Sequence, residues 1–422
     1  MILIKLAKKS LLNRKTSVLL TVITIAISVM LLLCIERVRV DAKTSFSNTI
    51  SGTDLIVGAR TGATELLLAS VFRIGHSTNM MSWQSYQEIK TQRGIKWTIP
   101  ISLGDSHRGY AVLGTNLDYF SHYRFAKKQP LVFATGRVFQ NQTEVVLGAI
   151  VAKELGYELG NDIVVSHGAG NTSFHHHDEH PFKVVGILAP TGTPVDKTVH
   201  VPLIAISNIH QESSKPTHIN HDHDHDHDHD KNNDLVGEPK HISAMLIGLN
   251  SPVMALQAQR SINQFKGEPL LAILPSFTLR QLWEILSIVE KALWLISIAV
   301  VIISLLGMVT TLLSTLNQRR RELAILRSVG ARPSHIFILM SLESLLLTCT
   351  AVLFGIIGFY AMLFTATPFI QASTGISLSF SVLSSYESGL IASIIAAGSV
   401  IGLIPAFLAY RYSLADGMSI KL

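Results

Sequence analysis

The chain has 422 residues, of which 48 % are hydrophobic and only 15 % charged, and its mean hydropathy is positive. That balance excludes an ordinary soluble protein and leaves room for several membrane spans plus a soluble domain of roughly 200 residues. The formal net charge of +6 sits largely on Lys and Arg beside apolar runs, so it reports orientation in a membrane before it reports nucleic-acid binding. Both cysteines, Cys34 and Cys349, fall in apolar runs, which leaves the soluble part to rely on an apolar core without disulfides.

Residues 1–16 place Lys5, Lys8, Lys9, Arg14 and Lys15 among Ile2, Leu3, Leu6, Leu11 and Leu12, the pattern of an interfacial amphipathic helix. Residues 17–50 follow as a first span, Ser17 to Ile35, that continues as a helix until Gly52 supplies the first break. The apolar run has no small-residue cleavage pattern after it, and Leu33 is too bulky to precede a lipid-modified cysteine, so it is expected to remain a true span.

Residues 51–276 alternate short strands and helices, the signature of an α+β domain. Strands are expected at Asp54 to Gly58, Ala111 to Gly114, Glu144 to Leu147, Asp162 to Val165, Phe182 to Leu188, Thr198 to Val201 and Ile242 to Leu249. Helices are expected at Ser82 to Thr91, Ala149 to Leu155 and Pro252 to Phe265. Residues 277–316 then run from a strongly helical segment, Thr278 to Lys291, into a second span. This segment and Val38 to Ile50 suit a paired stalk, the alternative being two unrelated juxtamembrane helices.

Residues 317–335 form a basic loop between two apolar runs, with a third span at 336–364, a link at 365–389, a fourth span at 390–410 and a tail at 411–422. Each apolar run reaches about the 20 residues that cross ~30 Å of hydrocarbon. Arg319 to Arg321 at the end of the second span, and Arg411 and Lys421 after the fourth, put the loop and both termini on the cytoplasmic side. Within the loop, Leu323, Leu326 and Gly330 fall at helical spacing, and Arg320, Glu322 and Arg327 supply a charged surface. Gly330 suits a helix stop and Pro333 the first turn of the next helix. The segment reads either as a solvated positive-inside loop or as a short surface helix that docks a cytoplasmic partner.

The run RRRELAILRSVGA, followed by an apolar helix carrying Glu343, resembles the second-to-third helix junction of the FtsX-like and MacB-like ABC transporter permeases. DLIVGARTG, LGAIVAKELGYELGN and FKVVGILAPTGTPVD are similar to segments of the MacB-like extracytoplasmic domain, and GLIPAFLAYRYSLADGMSIKL to the family's last helix and tail, with Ser413 where a proline is usual. The resemblance implies a coupling helix whose contact residues are Arg320, Arg321, Glu322, Leu323, Leu326, Arg327 and Gly330. It also implies a bacterial inner-membrane location, a periplasmic domain, a dimer of this chain or a related one, two copies of a separate ATPase, and a periplasmic client.

Residues for chemistry are sparse. The chain carries no P-loop, nucleophile elbow, HExxH or CxxC, so it is not expected to be an enzyme or to bind ATP; ATP belongs to the partner. Glu343, about two turns into the third span, is either a proton-relay candidate or a residue paired near the cytoplasmic end. Gly398 and Gly402 form a GxxxG that suits close helix packing within the chain or between copies.

Histidine is the outlying feature. Seventeen of eighteen lie between His76 and His241, concentrated in loops 171–180 and 218–230: His175, His176, His177 and His180, then His221, His223, His225, His227 and His229 alternating with Asp. Imidazole and carboxylate suit Zn²⁺, and Cu²⁺ and Ni²⁺ would also bind, so the composition signals a divalent metal without selecting one; a polar low-complexity insertion is the alternative. The expected function is therefore an ABC permease subunit with four transmembrane helices and an α+β extracytoplasmic domain between the first and second, with a link to zinc handling. A metal-sensing or metal-handling membrane protein without an ATPase is the alternative.

Overall fold

A computed structural model describes residues 15–75, 79–167, 181–213, 238–318, 325, 330–374 and 381–415. It contains four long apolar helices: Lys15–Thr49, Pro275–Gln318, Pro333–Thr374 and Ser385–Ala415. Each has a stretch long and apolar enough to cross a membrane. An α+β domain lies between the first and second. The chain divides into two compact units, one built mainly from residues 15–41, 287–370 and 381–415, the other from residues 42–286.

In the helical unit, Ile25, Val29 and Leu33 recur every four residues and meet Leu305, Met308 and Leu312 of the second helix and Leu347, Ala351 and Phe359 of the third. This is the spacing that brings one helical face to a neighbour. The opposite face of the first helix, Leu19, Ile23, Ile27 and Leu31, is equally apolar yet exposed. A helix that is apolar all round needs hydrocarbon on the side its partners leave open.

The second unit is built on a twelve-stranded sheet among the described residues. Its continuous path uses β1 (Leu55–Ala59), β2 (Ile95–Ser102), β3 (Tyr110–Thr115), β4 (Glu144–Leu147), β5 (Asp162–Ile163), β6 (Phe182–Leu188), β7 (Thr198–Pro202), β8 (Ala244–Leu249) and β9 (Leu270–Ile273). Their spatial order is β5-β6-β4-β7-β3-β2-β8-β1-β9. Pairs β4/β6 and β3/β7 are parallel, and the other neighbours antiparallel.

Both faces of the sheet are buried. Leu55 and Val57 of β1 join one apolar cluster with Met245 and Ile247, while Ile56 between them joins another with Ile99, Ile101 and Leu246. Strands covered on both faces need apolar residues at consecutive positions, which is why β1 reads LIV and not as an alternation.

Several expected elements stand as read: Glu144–Leu147, Phe182–Leu188 and Ala149–Leu155 coincide with their sequence bounds. Among the elements not read from sequence are β2, β9 and the helix Leu203–Ser213. Pro100 hides β2, because proline is rare in a central strand. Its carbonyl accepts from Thr115 Oγ1 at 2.9 Å, so its nitrogen faces the β3 side, where the ladder begins only at Ile101. The expected strand Ile242 to Leu249 is two pieces: Ile242 pairs with Met81 in a small ribbon, while Ala244 onward joins the main sheet. Ser243 turns the chain between them, and its Oγ accepts from the Leu103 N–H at 3.0 Å.

Candidate functional site: the helical unit and its charged cluster

Of the residues expected to couple to a partner, Arg320, Arg321, Glu322, Leu323, Leu326 and Arg327 lie outside the described residues. Gly330 is described: it is exposed at a turn with φ of 99°, a conformation that only glycine adopts without strain. Two residues on, the Arg332 N–H donates to His335 Nδ1 at 3.1 Å as the helix starting at Pro333 begins.

Glu343 is 1 % exposed, on a stretch of the third helix where Ser344 and Thr348 are also buried. These small polar residues sit against the fourth helix through the glycines of the GxxxG. A Cβ built on Gly402 would fall 2.1 Å from Ser344 Oγ, and one on Gly398 would fall 2.6 Å from Thr348 Oγ1. The motif therefore packs helices of one chain together, and any larger side chain must push them apart. On the other side of the third helix, Gly355 lies against Ala26 and Val29 of the first. Hydroxyls join the first and second helices: Thr21 Oγ1 donates to Thr311 Oγ1 at 3.2 Å, and Ser28 shares a 2.6 Å hydrogen bond with Ser304.

A charged cluster ends the apolar part of the first helix. Arg37 donates from Nε to Glu387 Oε1 at 2.8 Å and from Nη2 to Oε2 at 2.9 Å, and both side chains are about 5 % exposed or less. Arg37 also donates to Ser381 Oγ at 2.5 Å and lies over the Phe359 ring at 5.7 Å. Glu387 is itself fixed by a capping box at the start of the fourth helix. Its Oε2 accepts from the Ser384 N–H at 2.6 Å, and its own N–H donates to Ser384 Oγ at 3.1 Å. Near it, Arg39 bridges Glu36 at 2.7 Å and Glu290 of the second helix at 2.5 Å. The pairing of these charges is not legible in the sequence. The only local signal is Ser384-x-x-Glu387, a capping box.

Within the other unit, the parts of the two long helices that belong to it also meet: Phe46 packs on Phe72 with ring centroids 4.6 Å apart and planes tilted by 34°, and meets Trp283 edge-on at 5.6 Å. The TGTPVD loop is held by Asp196, whose carboxylate accepts from the N–H groups of Thr191 and Gly192, each at 2.8 Å. Burial raises its pKa, and those hydrogen bonds oppose the rise. Gly148, opening the LGAIVAKEL helix, presses on this loop so closely that a Cβ would fall 2.3 Å from the Val195 carbonyl.

The histidine tracts, His175 to His180 and His221 to His229, lie outside the described residues. Among the described residues, no three His, Cys, Asp or Glu side chains are grouped to hold a metal. His107 is structural, its Nδ1 2.6 Å from the Val164 carbonyl and its Nε2 3.0 Å from Tyr157 Oη. His200 is fully buried beside Tyr119, with ring centroids 5.2 Å apart.

Burial, aided by the Arg73 charge, pushes the pKa of His200 down to about 3. The unfolded chain protonates this ring below ~6.5 whereas the folded one does not. Stability is thus complete above pH ~6.5 and drains away as pH falls toward 3. Thermal unfolding between pH 7 and pH 4 is expected to show a shallower loss of stability for His200→Phe than for the wild type. Equal slopes would remove this residue from the acid response.

Comparison with known proteins matches residues 18–265 to the family of the MacB-like periplasmic core domain and residues 294–414 to the FtsX-like permease C-terminal family. The chain is also similar to the periplasmic region of MacB from Actinobacillus actinomycetemcomitans, with 13 % identity over 56 % of this chain and 94 % of that chain and a TM-score of 0.34. A similar likeness, 13 % identity over 52 % of this chain and 98 % of that chain with a TM-score of 0.31, holds for the extracellular domain of the noncanonic ABC-type transporter YknZ from Gram-positive bacteria. No curated protein matches the chain by sequence.

Proposed function

Because the chain belongs to the MacB-like periplasmic core domain family and continues as an FtsX-like permease C-terminus, it is an ABC transporter permease of the MacB/FtsX type, and we propose that it passes the work of a separate ATPase to its extracytoplasmic domain. The observation that carries this reading is that the two family matches run in succession over residues 18–265 and 294–414 of one chain. Two copies of the ATPase bind a dimer of this chain, or a pair of related chains, at the cytoplasmic segment 317–335. The stalk portions of residues 17–50 and 277–316 move with it, and the domain of residues 51–276 acts on a periplasmic client. Residues 1–16 and 411–422 lie in the cytoplasm, and the protein resides in a bacterial inner membrane. Support for joint movement of the first two helices comes from Arg39 and Glu290, 2.5 Å apart, and from the contact of Phe46 with Trp283.

Purification from its native membrane in mild detergent is expected to bring down an ATPase that carries a P-loop, in equal numbers with this chain. A preparation that remains free of any such ATPase would overturn the assignment of a separate motor.

The metal link is a second part of the proposal, favoured by seventeen histidines between His76 and His241. Five of them alternate with Asp over residues 221–230, a run without apolar side chains that has nothing to add to a core. Deleting residues 221–230 is expected to leave metal-free thermal unfolding within about 1 °C of wild type, because it removes no buried apolar area. The number of zinc ions bound should fall, and wild-type zinc binding should weaken below pH ~6.5, as imidazole must be neutral to ligate. Unchanged zinc stoichiometry would reduce the tract to a polar insertion.

A further inference from the structure

The first long helix, Lys15–Thr49, reaches β1 over residues 50–54, among them Gly52 with φ of 84°. The second long helix follows β9 after Leu274 alone. A linker of the first kind, with a glycine in it, acts as a hinge unless bonds cross it.

Bonds do cross it. The last carbonyls of a helix have no partner within the helix, and a glycine just past the end usually lets the next N–H groups of the same chain cap them. In this helix the caps come from residues 123–128. Tyr123 Oη donates to the Thr49 carbonyl at 2.5 Å, across 74 residues of sequence, and the Ala126 N–H donates to the Asn48 carbonyl at 2.7 Å. The same segment holds the linker: the Ser51 N–H donates to the Arg124 carbonyl, and Ser51 Oγ accepts from the Lys128 N–H, each at 3.2 Å. A turn before the helix end, Ser45 Oγ donates to the Gly192 carbonyl at 3.3 Å, in the loop that Asp196 holds.

The donors are set in place at a cost. Arg124–Phe125 and Gln129–Pro130 form a two-stranded ribbon, and in the turn between them Ala126 and Lys128 have φ of 47° and 61°. That backbone suits glycine, and other residues stay in it only where the surrounding structure over-determines them. Both strained residues are ones whose N–H reaches the helix end or its linker. Tyr123 is 3 % exposed and stacks on Tyr119 at 4.9 Å, so packing aims its hydroxyl. All of these residues lie within the compact unit of residues 42–286.

We propose that Tyr123 and the ribbon of residues 124–130 clamp the end of the first long helix and cancel the hinge at residues 50–54, so that the helix end and the sheet turn as one body. The clamp deepens the permease reading, on which it rests only for its purpose, the delivery of a helix displacement to the domain.

The test uses the full chain in lipid nanodiscs without nucleotide or ATPase, so its failure is distinct from a failure of the permease reading. Hydrogen exchange at single-residue resolution compares the wild type with Tyr123→Phe, which keeps the stacked ring and loses only the hydroxyl. That change removes no partner of the Ser51 and Ala126 amides. Because the bonds of a clamp open together, both amides should still exchange about tenfold faster, the effect of one hydrogen bond lost from the set. The Gln92 amide serves as control: it donates to the Ile89 carbonyl at 2.9 Å, and Ile89 belongs to the apolar cluster on the other face of the sheet from Tyr123. Its rate should stay within about twofold of wild type. Unchanged rates at Ser51 and Ala126, or an equal acceleration at Gln92, would overturn the clamp. A second measurement places spin labels at Lys43→Cys and Lys90→Cys, both exposed positions, with Cys34 and Cys349 replaced by serine and the labelled chain diluted in unlabelled chain. One narrow distance distribution is expected, at least about twofold wider when Tyr123→Phe is combined with Ser51→Ala. A distribution equally wide with and without the two substitutions would mean that the hinge is free, and would overturn the proposal.

Discussion

Replacing Glu322, Leu326 and Arg327 together by alanine is expected to bring ATP turnover in the reconstituted complex down to that of the ATPase alone. Leu323, Leu326 and Gly330 recur at helical spacing in a segment whose Arg319, Arg320 and Arg321 favour the cytoplasmic side of a membrane. A helix formed there would offer an apolar residue, Leu326, flanked by an acid and a base, Glu322 and Arg327, to whatever protein covers it. Truncating all three removes the apolar anchor and both charges at once, and interface anchors of this kind each cost more than about 1 kcal/mol when lost. The arginines that orient the spans stay in place, so membrane insertion should not change. The measurement is ATP hydrolysis with and without the permease in liposomes, together with protease accessibility of the loop. Wild-type stimulation by the triple variant would take the coupling role away from this loop.

Glu387→Ala should be the most destabilising single change in the helical unit. Arg37 and Glu387 are joined by two hydrogen bonds of 2.8 and 2.9 Å with both side chains almost fully buried. Removing one partner leaves a guanidinium without its counter-ion, which costs about 3–5 kcal/mol in buried pairs. The same change breaks the capping box with Ser384, and a lost cap costs about 0.5–2 kcal/mol more. A double variant, Arg37→Met with Glu387→Leu, should recover much of the loss, because no charge is left buried. Unfolding in detergent of the wild type, both single variants and the double variant forms a cycle that isolates the pair. Single variants whose midpoints match the wild type, or a double variant that sums the two single losses, would mean that the pair does not hold the first and fourth helices together.

The amino-acid sequence by itself determined that four helices are apolar enough to span a membrane and that an α+β domain separates the first two. Span length and hydropathy are local properties, and no tertiary contact is needed to make an apolar run of that length insoluble in water. The same holds for Glu144–Leu147, Phe182–Leu188 and Ala149–Leu155, where a run of branched apolar residues or a helical period ends at Gly148, shortly before Pro190 or at Gly156. The family likeness of the basic loop and of the TGTPVD and LGAIVAKEL segments was also legible, though not that Gly148 and the Asp196 loop press on each other.

Tertiary structure decided what depends on residues distant in the chain. Strand β2 exists despite Pro100 because its ladder with β3 starts one residue later, a fact about its neighbour that no propensity carries. Arg37 and Glu387 are 350 residues apart, and each alone reads as an ordinary charge beside a span; only their meeting makes burial of either one possible. Hydropathy therefore wrote the topology of the chain, whereas the pairing of buried polar groups had to wait for the fold, since a hydrogen bond is specific to a position in space and an apolar run is specific only to its own length.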